Sequence, residues 1–218
     1  MFEAIGDYED ATERAQAIRF AQAETMEAEG NLSAAALQYN KLGDYSDARE
    51  RSFALWEQIT NRETVSAGED YTVGLKSDGT VVAVGNNDFY KCDVEDWTDI
   101  VAVSAGMFHT VGLKSDGTVV AVGNGNVGQC DVEDWTDIVA VSAGFWHTVG
   151  LKSDGTVVAV GENYNGECNV EGWTDIVAVS TGDEHTVGLK SDGTVVAVGS
   201  NGNGQCDVEG WTDIVAVS

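Results

Sequence analysis

Residues of chemically useful type recur along this chain at fixed spacing. Gly123-Asn124-Gly125-Asn126-Val127-Gly128 follows the apolar run Thr118–Val122 and has the GxGxxG pattern of a dinucleotide-binding turn. In such a turn the glycines admit a pyrophosphate to the backbone and a helix N-terminus holds its charge. That chemistry needs a helix next. Gln129 to Trp135 instead carries no 3.6-residue apolar stripe, and no second βαβ unit follows. The equivalent stretches at 86–91 and 200–205 lack the pattern, so it is a coincidence of loop sequence. Cys92, Cys130, Cys168 and Cys206 stand 38 residues apart, which marks one position of a repeat. They form neither a CxxC zinc site nor a disulfide framework, and they read as buried free thiols. His109, His147 and His185 would make a metal ring only if the fourth equivalent, Tyr71, were also a ligand. Asp183-Glu184-His185 offers an acid–base set, but consecutive residues in a turn seldom converge, and no nucleophile or oxyanion feature accompanies them. No catalytic residue, metal site or cofactor is assigned.

Composition sets the outer limits. The chain has 218 residues, 43% of them apolar, enough to bury a sizeable core in one or two domains. A formal net charge of −26 repels phosphate backbones and anionic membranes, and it steers in a basic protein surface. There is no apolar stretch long enough to span a bilayer and no basic-then-apolar leader, so the compartment is left open. Proline is absent.

Two regions with different periods must position these residues. Residues 1–61 are rich in Ala and Glu and helix-forming, with Phe20–Ala28 and Leu32–Leu42 read as helices broken at Gly30-Asn31. Gly6-Asp7-Tyr8-Glu9-Asp10-Ala11 returns as Gly43-Asp44-Tyr45-Ser46-Asp47-Ala48, an internal repeat resembling the helix-turn-helix units of tetratricopeptide arrays. Residues 62–218 are four copies of a 38-residue unit (62–99, 100–137, 138–175, 176–213) and a stub, 214–218. In the second copy, Ile100–Ser104, His109–Lys114 and Thr118–Val122 read as strands, and Cys130 to Trp135 as a fourth extended piece. Asp116-Gly117 predicts a two-residue type I′ hairpin. One Asp per hairpin is too few oxygens for calcium. Hairpins at a fixed interval, with near-continuous apolar strands, predict an all-β propeller following an α-helical segment.

The repeated pattern Ser104-Ala105-Gly106-x-x-His109-Thr110-x-x-Leu113-x-x-Asp116-Gly117-x-Val119-x-x-x-Gly123-x-x-x-x-Gly128-Gln129 resembles the regulator-of-chromosome-condensation repeat. Its short unit is most similar to the bacterial members typified by the propeller-type β-lactamase inhibitor proteins. That resemblance implies seven blades, a structural histidine, and a partner protein bound through loops on one face. The chain departs from the pattern at Val84, Val122, Val160 and Val198, where the family carries tryptophan, and it adds Trp97, Trp135, Trp173 and Trp211 elsewhere. Four copies and a stub imply a partial propeller with an open edge. Self-association through that edge is the alternative to a longer parent chain.

Comparing the copies with one another locates the variation. Each differs after Ser-Ala/Thr-Gly and again after the third strand, and antiparallel geometry puts both variable stretches at one end of the sheet. Beyond Phe53 every Phe and Tyr falls in them, together with Trp146. The candidate partner-binding residues are therefore Tyr71, Phe89, Tyr90, Met107, Phe108, Phe145, Trp146, Tyr164, Asp183 and Glu184. This face suits a specific protein partner, partly basic, and not nucleic acid or membrane insertion. The constant Trp-Thr-Asp segments are read as blade-to-blade packing. Three alternatives remain: a carbohydrate-binding propeller, which would repeat its aromatics in register; a structural spacer in a larger surface protein; and nucleotide exchange on a small GTPase, by analogy with the family's namesake.

Overall fold

The structure, a computed structural model, describes residues 3–59 and 64–218. The chain divides into two compact units, Met1–Ile59 and Thr60–Ser218, and the sequence boundary at 61/62 lies outside the described residues.

The first unit is three helices: α1 Glu3–Ala28, α2 Leu32–Leu42 and α3 Ala48–Ile59. α1 begins well before Phe20, because its leading stretch is dominated by residues that favour helix. The break falls at Gly30, whose φ of 82° ends α1, and Asn31 caps α2 by accepting from the Ala34 N–H. The repeated hexapeptide takes two conformations. Its first copy lies inside α1, while Gly43 to Asp47 is the turn between α2 and α3, with Gly43 and Ser46 at positive φ. Ala35, Ala36, Leu37 and Tyr39 of α2 pack with Leu55 and Trp56 of α3 in a buried core. At its edge Arg51 donates to the Tyr39 hydroxyl, which donates to Glu27.

The second unit is four three-stranded antiparallel sheets, each a meander in chain order. The strands are β1 Val65–Ala67, β2 Tyr71–Leu75, β3 Val81–Gly85, β4 Ile100–Ala105, β5 His109–Lys114, β6 Val119–Gly123, β7 Ile138–Ala143, β8 His147–Lys152, β9 Val157–Gly161, β10 Ile176–Thr181, β11 His185–Lys190 and β12 Val195–Gly199. Register is the same in each copy: His109 pairs with Gly123, Val111 with Ala121 and Leu113 with Val119. Valines such as Val111 and Val119 suit a pleated, half-buried surface.

The structure corrects two local expectations. Cys130 to Trp135 is not a strand. It is a pair of tight turns, the Val132 N–H donating to Cys130 O and the Trp135 N–H to Val132 O, pinned by the buried Val132 side chain. The Asp-Gly hairpin is not type I′, since only the glycine has positive φ. The Gly117 N–H donates to Lys114 O and the Lys114 N–H to Thr118 O, which is a type I turn followed by a glycine bulge. Asp116 Oδ1 fixes it by accepting from the Thr118 N–H and hydroxyl, and this holds the carboxyl below its usual range. The stub, 214–218, carries no strand, and the Ile214 N–H donates to Gly193 O.

One interface joins each sheet to the next. Trp97 lies over Gly112, Trp135 over Gly150 and Trp173 over Gly188, so near that a β-carbon on each glycine would sit 2.6–2.7 Å from the indole. Ser66, Ser104 and Ser142 accept from the main-chain N–H of Ala105, Ala143 and Thr181 in the following sheet. His109 and His147 reach Thr148 and Thr186 at 2.8 and 3.0 Å.

Candidate interaction face

In each copy a turn joins the first two strands. The Gly106 N–H donates to His109 O and leaves Met107 and Phe108 at the tip. The loop after the third strand is tied to that tip, Asn124 N–H donating to Phe108 O at 2.9 Å. The same bond joins Asn86 to Asp70, Glu162 to Trp146 and Ser200 to Glu184. Both variable stretches therefore lie side by side at one end of every sheet.

Across sheets, four rings meet. Phe108 stacks on Trp146 with centroids 4.2 Å apart, and Phe145 packs edge-on to Phe108 at 5.2 Å. Phe89 of the first copy touches Phe108 at 5.7 Å. Three copies thus contribute to one aromatic cluster, half-buried by its own members and with Phe89 exposed. Beside it lies a depression of about 400 Å³ where the tips converge, lined by Glu69, Met107, Phe145 and Asp183 among others. Two apolar side chains sit there between two acids. Tyr164 and Tyr90 stand exposed on the same loops, outside the cluster. Glu184 is exposed and accepts from Asn165 at 3.4 Å.

Tyr71 does not belong with these. It is 4% exposed, its hydroxyl donates to His109 O at 2.7 Å, and Thr110 lies 2.9 Å away. Burial pushes its phenol up to about 12. It fills in the first copy the place that histidine holds in the others, which its position in a variable stretch concealed.

His109 and His147 are fully buried. Thr148 spends its hydroxyl proton on Gln129 O and Thr186 on Glu167 O, so each imidazole must donate from Nε2. Each Nδ1 is then a bare acceptor, and among the described residues it has no partner. Burial first, then the neighbouring histidine, lowers both imidazoles to about 4. Asp183 and Glu184 are exposed, and no hydrogen bond joins them to His185 among the described residues. The thiols are weakly exposed donors, Cys130 to Asn124 O and Cys168 to Glu162 O. Burial pushes them up to about 11 and 12, so they are poor nucleophiles at neutral pH.

Two features escaped the sequence. Lys91, Gln129 and Glu167 end a variable stretch yet are buried. Lys91 pairs with Asp70 at 2.6 Å and donates to Met107 O of the next copy, bracing one tip against another. Their variation between copies looked like surface drift. The second is strain: Phe89 and Tyr90 both have φ of 64°. Gly128, Gly166 and Gly204 occupy the position of Tyr90 with φ of 80–87°, so a tyrosine stands where the backbone asks for glycine.

Successive antiparallel sheets joined by one repeated interface are the build of a β-propeller. The chain belongs to the regulator of chromosome condensation (RCC1) repeat family, whose sequence model matches residues 63–90, 100–129, 138–167 and 176–205, just over half its length. Its fold is similar to that of yeast RCC1 (Prp20) crystallised bound to Kap60, at 18% identity and a TM-score of 0.56, covering 63% of this chain and 43% of that one. Human WBSCR16 is similar at 16% identity and a TM-score of 0.55, covering 66% and 50%. So is Prp20p from Saccharomyces cerevisiae, studied for binding to Gsp1p and histones, at 18% identity and a TM-score of 0.54, covering 62% and 44%. The chain therefore spans half or less of these structures. No curated protein matches it by sequence. Among the described residues no helix is long and apolar enough to cross a membrane.

Proposed function

We propose that the second unit is a non-enzymatic protein-binding module that meets its partner through the loop end carrying Phe89, Phe108, Phe145, Trp146, Tyr90 and Tyr164. The observation that carries this reading is the cluster itself: four rings from three copies, at the one end where the repeats differ. Aromatic side chains dominate binding hot spots, and a contiguous apolar patch on a soluble surface calls for a partner. Tyr90 adds weight. A non-glycine residue in the left-handed region costs about 1–2 kcal/mol, and here it holds an exposed ring.

Glu69 and Asp183 flank Met107 and Phe145, so the partner's matching element has an apolar centre and basic flanks. The RCC1-type structures resembled include ones crystallised with, or studied for binding to, other proteins, and we carry only the class of ligand across. In this reading the blades are of the short bacterial type and the helices form a tetratricopeptide-like array.

The test is a capture experiment from lysate and culture medium of the source organism. This chain is compared with one bearing Phe108, Phe145, Trp146 and Tyr164 all changed to Ser, after circular dichroism shows equal folding. A protein held by the first and lost from the second is the expected result. Identical captures from both would remove the loop end from consideration and favour the helices or a spacer role.

A further inference from the structure

The tips of the four copies converge on one depression of about 400 Å³, and its wall and floor are of different material. The wall is the residue after each tip glycine: Glu69, Met107, Phe145 and Asp183, one per copy at equivalent positions. The two middle copies are apolar there and the outer two are acidic. The floor is main chain. A β-carbon on Gly68, Gly106 or Gly144 would stand 2.8, 2.5 or 2.7 Å from the carbonyl oxygen of the next copy's glycine, so the absence of a side chain lets these carbonyls crowd together.

The polar groups here are acceptors short of a donor. Gly106 O and Gly182 O accept no hydrogen bond among the described residues, and Gly144 O accepts only a long one, 3.4 Å, from the Met107 N–H. Neither Glu69 nor Asp183 has an ion-pair or hydrogen-bond partner among the described residues. Behind the floor, the fully buried His109 and His147 each bring a partnerless Nδ1 within 2.9 Å of the β-carbon position of Gly106 and Gly144. Each adds a lone pair of the same sign. Lys91, whose Nζ reaches Met107 O, is buried and held by Asp70, so it does not neutralise the site.

We propose that this depression takes the side chain of one lysine of the partner protein. The inference rests on the loop-end reading and names the group that answers its acidic character. The aliphatic stem lies along Met107 and Phe145, and the ammonium reaches the glycine carbonyls and the flanking carboxylates. Ammonium suits this arrangement better than guanidinium. Its three donors take single acceptors spread around a point, whereas guanidinium is best met by a planar bidentate partner, and the two carboxylates here stand on separate copies. The chain's formal charge of −26 steers a cation inward from a distance.

Carbon-13 labelling of the methionine methyls tests this. It gives three NMR reporters, of which Met107 lines the depression while Met1 and Met26 belong to the first unit. The probe is N-acetyl-lysine methylamide, titrated to about 100 mM at constant ionic strength. The expected result is a saturable shift at Met107 alone, with a Kd on the order of 10 mM, the scale that ligand efficiency sets for so small a group. Glu69→Gln combined with Asp183→Asn should weaken it at least about tenfold with the circular dichroism unchanged. The norleucine analogue, which keeps a stem without the charge, should give no saturable shift. No shift at Met107 with the lysine probe, equal binding of norleucine, or a shift that the double variant leaves intact would each overturn the proposal. Tighter binding of the arginine analogue would overturn the choice of ammonium. The titration needs no partner protein and alters none of Phe108, Phe145, Trp146 and Tyr164, so failure here is separable from failure of the loop-end reading.

Discussion

His109 and His147 each hold one proton, on Nε2, and turn a bare Nδ1 into a buried, partnerless environment. A second proton would put an uncompensated charge there, which is why both imidazoles sit at about 4 and not near 6.5. The unfolded chain therefore takes up protons first as pH drops. The stability these residues supply is complete above about pH 6.5 and is lost as pH falls through about 4. Between pH 7 and 5 linkage gives a loss of about 2 kcal/mol per histidine. Thermal unfolding at the two pH values should show a larger fall in Tm for the natural chain than for His109→Gln or His147→Gln, each of which can still donate to the threonine. An equal fall in all three would contradict the assignment. The blade role of the histidine was readable from its recurrence. That of Tyr71 was not, because a different residue reaches the same neighbour with a longer side chain.

Between elements, the indole–glycine contact is the most demanding piece of packing. A methyl at Gly150 would lie 2.7 Å from the Trp135 ring, and a buried indole has little room to retreat. Gly150→Ala should destabilise the chain by about 1–3 kcal/mol, the usual cost of overpacking. Gly74→Ala, at the equivalent position with only Val82 nearby, should be within about 1 kcal/mol of neutral in the monomer. Urea titration of both variants measures the difference directly. Elements of this kind were legible to differing depths. Strands such as His109–Lys114 announced themselves by β-branched residues and by repetition. The turns from Cys130 to Trp135 did not, because valine and tryptophan suggest a strand when their anchoring contact is unseen. The start of α1 was missed because no capping residue precedes it in the sequence. The aromatic loops were identified by comparing copies, but which rings touch depends on how far apart neighbouring blades stand, and the sequence does not state that distance.

At the scale of the whole molecule, near-identical blades joined by near-identical contacts differ in how many neighbours they have. The second and third blades are flanked on both sides within this chain, and the first and fourth on one side. In a linear array the local stability follows the number of joints, so hydrogen exchange should be slowest in β5 and β8 and faster in β2 and β11. Mass-resolved exchange on the chain would show this gradient, and uniform protection would argue that the blades open as one. The sameness of the joints has another outcome, which concerns how such a chain changes through descent. Duplicating or deleting one 38-residue unit puts the same indole against the same glycine at the new junction, so array length is free to vary without any new contact being invented. Identity resides in the loops, and the scaffold between them can be lengthened or shortened like a strip of interchangeable tiles.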